Sequence, residues 1–315
     1  MDISGKISQN EELKGLVANI QDYTVHDGSG LRSLVFLKGC MLRCRWCQNP
    51  ESINAYPEIA FHSRLCVGCG RCEEVCPEDA IVSAEEGRVD RRRCTTCMEC
   101  AHTCPVSALT QVGTWMTVEQ VLRKVRRYIP FYIYSEGGVT ISGGDPLFQA
   151  EFTAQLAASC RKEGIHTAIE TCGHADYEAL RKVAQNLDLL LYDLKHMNDT
   201  VHAQETGVGN QLILANLARI CEEMPTLHKV IRIPLIPGYN DDEINIRKTV
   251  EFVRSLDIRQ IDLLPFNDLP GAKYTMMGSE SWIYDGVRRQ DNKKLNKLRR
   301  IVEKSGLRVT VGGLW

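Results

Sequence analysis

Fourteen cysteines in 315 residues constrain this chain more than anything else in it. Eleven of them fall into three groups. The first is CMLRCRWC, with Cys40, Cys44 and Cys47; the second is CVGCGRCEEVCP, with Cys66, Cys69, Cys72 and Cys76; the third is CTTCMECAHTCP, with Cys94, Cys97, Cys100 and Cys104. Cys160, Cys172 and Cys221 stand alone and read as buried small hydrophobes. The opening residues, MDISGKISQN, lack the apolar core of a signal peptide. No run of about 18 apolar residues is present to span a membrane. A cysteine-rich chain with neither signal points to a cytoplasmic protein with metal or redox chemistry, not to disulfides. The formal charge of −2 excludes a whole-chain basic field for nucleic acid.

The second and third groups repeat C-x2-C-x2-C-x3-C-P, the run that binds two 4Fe–4S clusters in bacterial ferredoxins. The tight spacing delivers three thiolates to one cubane, and the fourth cysteine of each run crosses to the other. One cluster is therefore assigned to Cys66, Cys69, Cys72 and Cys104. The other is assigned to Cys76, Cys94, Cys97 and Cys100. Zinc takes four ligands, usually as two separated pairs, and fits tandem runs closed by Pro77 and Pro105 poorly. The first group offers three thiolates with no evident fourth. On a cubane, three ligands leave one iron open to a substrate; alone, the same three cysteines also suit a zinc site.

Between and after these groups the pattern alternates. Apolar, β-branched runs at 31–37, 139–142, 165–170, 187–193, 230–236, 260–265 and 308–311 have the length of buried parallel strands. Helical patterns separate them at 118–129, 151–163, 177–185, 211–222, 243–255 and 292–304. Alternation of this kind means an α/β fold, with chemistry at the C-terminal strand ends if the sheet curls into a barrel. Six strands and a weaker seventh fall short of the eight of a closed barrel, so one side is expected to be open. The reading is a partial barrel from 16–52 and 111–315, an inserted eight-cysteine domain over 53–110, and a polar N-terminal extension over 1–15. The eight histidines form no HxxH or HExxH pattern, and Arg91–Arg93 and the 123–127 run read as solvated faces.

CMLRCRWC directly after a first strand resembles the cluster motif of the radical S-adenosylmethionine (radical SAM) superfamily, with Trp46 as the aromatic before the third cysteine. The stretch VHDGSGLRSLVFLKGCMLRCRWCQNPES resembles one branch of it, the glycyl-radical-enzyme activating enzymes. So do GGVTISGGDP, HTAIETCG, LYDLKHMN, IPLIPGYND and LLPFN. The resemblance implies a partial (β/α)6-type radical SAM barrel with a ferredoxin-like two-cluster insertion, as in the longer activases. It implies that S-adenosylmethionine chelates the open iron and that one electron breaks its sulfonium C–S bond. The resulting 5′-deoxyadenosyl radical then takes a hydrogen atom from a glycine of the partner enzyme. Such a radical needs a closed, dry pocket.

The same resemblance implies cofactor-binding roles for Trp46 and Gln48 on the adenine side, and for Gly143, Gly144 and Asp145. In the last group the glycines admit the cofactor and the acid accepts from its ammonium group. Asp193 and Lys195 match positions at the cofactor's ammonium and carboxylate, with Glu170 near its ribose or a monovalent cation. Asn267 matches a further contact. Four positions depart from the family's habit: Asp145 stands where Glu is common, Glu170 where Asp is, Asn267 where His is, and Ser29 where Pro is. The implied partners are a glycyl-radical enzyme and a flavodoxin- or ferredoxin-type electron donor, without nucleic acid or membrane. The partner enzyme would be a lyase, dehydratase or decarboxylase, such as isethionate sulfite-lyase, choline trimethylamine-lyase or 4-hydroxyphenylacetate decarboxylase. Two other readings compete. One is a radical SAM enzyme acting on a small molecule. The other is a ferredoxin-type electron-transfer protein, which leaves the open three-cysteine site and the GGDP and DLK strand ends unexplained.

Overall fold

The computed structural model describes residues 12–83, 87–279, 284 and 286–313. Seven parallel strands form the body of one sheet: β2 (Arg32–Leu37), β6 (Gly138–Gly143), β7 (His166–Thr171), β8 (Leu189–Asp193), β9 (His228–Pro234), β10 (Gln260–Leu264) and β11 (Arg308–Val311). Each matches an expected apolar run. After β6 each strand lies beside its predecessor, joined through helices such as Ala150–Lys162, Tyr177–Ala184, Gln211–Glu223, Glu243–Ser255 and Asn292–Lys304. Parallel strands covered by helices are buried, which is why they read as continuous apolar runs. Val35, Leu37, Val139, Ile141, Ile169, Leu190, Ile231, Ile233, Ile261 and Leu263 are at most 0% exposed and share one core with the helices. Burying each such side chain contributes on the order of 1.5–3 kcal/mol.

Two further strands of this sheet match no expected run. β1 (Lys14–Thr24) runs antiparallel to β2, and β5 (Thr114–Thr117) pairs antiparallel with β1. Beyond Val17, β1 alternates exposed and half-buried residues, as a ribbon with one wet face does. The expected N-terminal extension lies outside the described residues over 1–11, and Lys14 and Gly15 already belong to β1. The nine-stranded sheet runs β11-β10-β9-β8-β7-β6-β2-β1-β5, so β11 and β5 are free edges among the described residues. The sheet is open, as a barrel short of strands must be.

The loop from β1 to β2 ties distant strands of this sheet together. The His26 ring bonds to the Gly312 carbonyl at 2.9 Å, Asp27 pairs with Arg232 of β9 at 2.9 Å, and Thr140 of β6 donates to the Asp27 carbonyl at 2.7 Å.

The eight-cysteine segment forms its own small unit. β3 (Glu58–Phe61) and β4 (Leu109–Val112) pair antiparallel and bring its two ends together. Ile59, Phe61, Val89, Met98, Ala108 and Leu109 make a separate core with Cys72 and Cys100. Two short helices, Arg71–Glu74 and Glu99–Thr103, repeat each other at a constant offset. Gly70 and Met98 precede them with left-handed backbone, φ 76° and 68°.

Candidate active site

The C-terminal ends of β2, β6, β7 and β8 open onto one cleft of about 190 Å³. Cys40, Cys44 and Cys47 line it from the loop after β2. That loop is held by backbone bonds: Cys40 N–H donates to the Ile53 carbonyl (3.0 Å), Arg43 N–H to Thr206 (2.7 Å) and Cys47 N–H to Cys44 (3.1 Å). Burial pushes the Cys40 and Cys47 thiols up to about 12, and it raises Cys44 as well. Three half-buried thiols that resist ionisation are inert alone; a bound metal centre would replace their protons. Among the described residues no three His, Cys, Asp or Glu side chains converge on a single ion. Ligands that each bind a different iron of one cluster need no such convergence. The donor set therefore fits a cubane with three protein ligands.

The expected cofactor-binding residues are mostly here. Trp46, Gln48, Gly143, Gly144, Asp145, Glu170, Asp193 and Lys195 all line this cleft, whereas Asn267 does not. Asn267 is exposed, and its carbonyl accepts from Gln48 Nε2 at 3.2 Å. Trp46 is 3% exposed and packs on Tyr239, with ring centroids 4.6 Å apart, beside Ile236 and Phe266.

The glycines have a reason that the sequence did not suggest. A Cβ on Gly143 would collide with Leu37 backbone, and one on Gly144 with the carbonyls of Gly39 and Ser52. Their absence of side chains lets the end of β6 lie against the cysteine loop. Gly144 N–H and Asp145 N–H then donate to Leu37 and Gly39, both at 2.8 Å.

Asp145 is likewise committed to the protein. Its carboxylate accepts from Leu147 N–H (2.9 Å), Thr171 Oγ1 (2.9 Å) and Cys172 N–H (2.8 Å). Burial raises its pKa, and these donors pull it part of the way back. It clamps the ends of β6 and β7 together. Cys172, read as packing, is buried and lines the cleft as a fourth thiol.

Asp193 and Lys195 sit at the end of β8. Lys195 Nζ donates to Asp193 Oδ2 at 2.6 Å, with side chains 11% and 15% exposed. Burial pulls the lysine down, but Asp193 and Cys44 outweigh it and hold Lys195 well above its ordinary value. Asp193 Oδ1 and Gln48 Oε1 are buried without a hydrogen-bond partner. A buried unpaired acceptor costs about 1–3 kcal/mol, so both mark places for a donor such as an ammonium group.

Glu170 accepts from Ser142 Oγ at 2.8 Å and pairs with Arg232 at 2.9 Å. Burial lifts its carboxyl to about 7, against the pull of Arg232. Arg232 is 4% exposed and also faces Asp27 at 2.9 Å and Asp262 at 3.8 Å. Sequence reading missed Arg232, Asp27 and Asp262. The available signal was a charged residue inside the apolar run VIRIP, since a buried charge must be paired.

The other cysteines gather in two places. Cys66, Cys69, Cys72 and Cys104 line one small cavity with Arg88. Cys100 has Cys94, Cys97 and Cys76 as neighbours, and burial together with them pushes its thiol to about 11. Backbone donors repeat as well: Ala80 N–H reaches Cys76 Sγ and Ala108 N–H reaches Cys104 Sγ, both at 3.2 Å.

The profile of the Radical SAM superfamily matches residues 34–250. The chain is 44% identical over 278 residues to the choline trimethylamine-lyase activating enzyme of Oleidesulfovibrio alaskensis, covering 85% of this chain and 89% of that one. It is 41% identical over 277 residues to the isethionate sulfite-lyase activating enzyme of Desulfovibrio desulfuricans, covering 86% and 89%. Among solved structures, Streptococcus suis SuiB bound to precursor peptide SuiA superposes with TM-score 0.51 at 13% identity, over 86% of this chain and 46% of that one. That last likeness concerns the fold alone.

Proposed function

Because this chain belongs to the radical SAM superfamily and, within it, to the glycyl-radical-enzyme activating enzymes, we propose how its residues carry that family's reaction. The protein is an enzyme that activates a partner glycyl-radical enzyme. It does so by reductive cleavage of S-adenosylmethionine and abstraction of a hydrogen atom from a partner glycine. Cys40, Cys44 and Cys47 would hold the catalytic 4Fe–4S cluster. Bound there, the cluster supplies the electron that cleaves S-adenosylmethionine, and the cleavage supplies the species that takes the hydrogen atom.

The rest is positioning by this chain. Asp193 lines the cleft and has an unpaired oxygen, Oδ1, which accepts from the ammonium group of S-adenosylmethionine. Lys195 steadies Asp193 and offers its remaining donors to the carboxylate. Asp145 holds β6 and β7 in register beside the cysteine loop instead of reaching the cofactor with a free oxygen. Glu170 and Asp193 are where a monovalent cation would bind, and Arg232 competes for Glu170. Trp46, packed on Tyr239, walls the cleft against water on the adenine side.

The eight-cysteine unit is read as a ferredoxin-like insertion with two further clusters: Cys66, Cys69, Cys72 and Cys104 on one, Cys76, Cys94, Cys97 and Cys100 on the other. Fed by a flavodoxin- or ferredoxin-type donor, they would pass electrons to the catalytic cluster. The partner is read as a lyase, dehydratase or decarboxylase, with choline trimethylamine-lyase and isethionate sulfite-lyase first among them because the relatives above activate those enzymes. Among the described residues no helix is long and apolar enough to cross a membrane.

One observation carries this reading: the three-cysteine loop and the Gly143–Asp145, Glu170 and Asp193–Lys195 strand ends share one cleft. The test is an anaerobically reconstituted protein mixed with each candidate partner, S-adenosylmethionine and a reductant. A glycyl radical signal on one partner, with one S-adenosylmethionine consumed per radical, is expected. Cleavage with no radical on any partner, but with a modified small molecule, would move the reading to a small-molecule enzyme.

A further inference from the structure

The eight-cysteine unit is a near repeat, and one charged side chain breaks it. Gly68 and Thr96, Gly70 and Met98, and Asp79 and Ser107 are equivalent positions, and all six have positive φ. The backbone donors to Cys76 and Cys104 also correspond. Each group of four cysteines therefore receives the same main-chain hydrogen bond.

Arg88 has no such counterpart. Its Nη2 donates to Cys72 Sγ at 3.0 Å, and its guanidinium pairs with Glu73 at 2.8 Å. The side chain is 9% exposed and lines the cavity of Cys66, Cys69, Cys72 and Cys104. Its Nε is buried without a hydrogen-bond partner, and the sulfur atoms of a cluster are acceptors of the kind it lacks. Its backbone has φ 67°, a region that a bulky residue rarely adopts. The offset that carries Cys66 to Cys94 carries Glu73 to Ala101, and it carries Arg88 to Met116, which already lies outside this unit in β5 of the main sheet, so the second half supplies no matching arginine. Of the arginines that follow it, Arg93 is turned to the Glu78 carbonyl and Asp79, and the guanidinium of Arg91 lies beside Gly278 of the segment after β10. Among the described residues no side-chain N–H donates to the sulfur of Cys76, Cys94, Cys97 or Cys100.

We propose that Arg88 is a tuning residue that makes the cluster on Cys66, Cys69, Cys72 and Cys104 the first of the two accessory clusters to accept an electron. The proposal rests on the two-cluster reading of this unit. Reduction adds one negative charge to the cluster and its sulfurs. A buried guanidinium hydrogen-bonded to one of those sulfurs stabilises the reduced form more than the oxidised one. Glu73 opposes this, but its side chain is 55% exposed and water screens it. The net effect is a higher reduction potential for this cluster than for its near-twin.

The test is a redox titration of the full-length, cluster-loaded protein followed by electron paramagnetic resonance, with iron counting on each sample. The wild type should show two separate accessory waves. Arg88→Met should lower the upper wave by about tenfold in reduction equilibrium, roughly 59 mV for a one-electron couple, and leave the lower wave in place. Arg88→Lys should restore part of the shift. Glu73→Gln, at a half-exposed position, should move the upper wave upward, and it decides the matter if Arg88→Met does not load its cluster. An upper wave that stays put in both variants, or a lower wave that moves instead, overturns the proposal. Iron in the wild type too low for three clusters would instead overturn the two-cluster reading beneath it.

Discussion

Lys38 lies two residues before Cys40, and its side chain is 0% exposed. Its ammonium donates to Glu58 Oε2 at 2.8 Å and to the Glu51 carbonyl at 2.6 Å. Glu58 is 7% exposed and takes a second donor from Asn54 at 3.1 Å. One buried pair thus joins the residue that follows β2 and leads into the cysteine loop, the segment after Cys47, and β3 of the eight-cysteine unit. The backbone of Lys38 is fixed at both ends, by Leu16 at 2.9 Å and Gln149 at 2.8 Å. Lys38→Met keeps the apolar stem and removes the charge, leaving the Glu58 carboxylate buried with Asn54 as its one remaining side-chain donor.

Removing one partner of a buried ion pair costs about 3–5 kcal/mol, because the other charge remains desolvated. At ~2–3 °C per kcal/mol for a chain of this size, Lys38→Met should lower the unfolding midpoint by about 6–15 °C. Glu58→Leu should cost a similar amount. The double variant Lys38→Met/Glu58→Leu removes both charges and should recover most of the loss, since an apolar pair in place of a buried salt bridge is often neutral. The assay is anaerobic thermal unfolding of the loaded protein at one scan rate, because cluster loss makes the transition irreversible. A double variant whose loss equals the sum of the two single losses would refute the reasoning, since it would mean that the two side chains act independently.

Four further outcomes follow from the site. Lys195→Met should weaken S-adenosylmethionine binding by about 1.5–3 kcal/mol through loss of a charge-assisted contact, with all clusters retained; unchanged affinity on titration would make Lys195 only the partner of Asp193. Ala at Cys40, Cys44 and Cys47 together should abolish cofactor cleavage and leave roughly eight irons, those of two cubanes; iron falling to zero would argue against separate units. Burial lifts Glu170 to about 7, so folding favours its protonated form. Its contribution is fully present below the unfolded carboxylate range near pH 4.5 and is lost as pH rises through about 7. Glu170→Gln should flatten the fall in unfolding midpoint across that window, and an identical pH profile would show that Arg232 keeps Glu170 ionised throughout. Ser at Cys97 and Cys100 should sharply reduce cleavage driven by a protein electron donor while a strong chemical reductant restores part of it; full activity with the protein donor would sink the relay role.

The parts of this molecule that the sequence exposed share a physical cause. A strand buried on both faces must be apolar along its whole length, so β2 and β6–β11 stand out as runs. Three of a cluster's thiolates arrive within a few residues of one another, so their spacing survives as a pattern. β1 carries no such mark. It pairs antiparallel at the rim, its outer half alternates with water, and Lys14–Thr24 reads as an unremarkable polar stretch. The glycines show a different gap. Gly143 and Gly144 were identifiable as positions where something approaches closely, but what approaches is the backbone of Leu37, Gly39 and Ser52. Only the fold brings residues so far apart in sequence together.

The same distinction explains the acids of the cleft. A carboxylate at a strand end looks alike in sequence whether it is free for a ligand or already committed, because its partners come from other strands. Asp145 is taken by Thr171 and Cys172 of β7 and the turn beyond it, and Glu170 by Ser142 of β6 and Arg232 of β9. Asp193 alone of the three keeps an oxygen that is buried and unpaired. Asp145, the departure from the family's usual Glu, is one methylene shorter, and it is the acid whose oxygens the protein itself fills. On the proposed assignment, positive charge for the cofactor's carboxylate and an acceptor for its ammonium would come from Lys195 and Asp193 at the end of β8. Binding should depend more steeply on that pair than on the glycine-flanked acid.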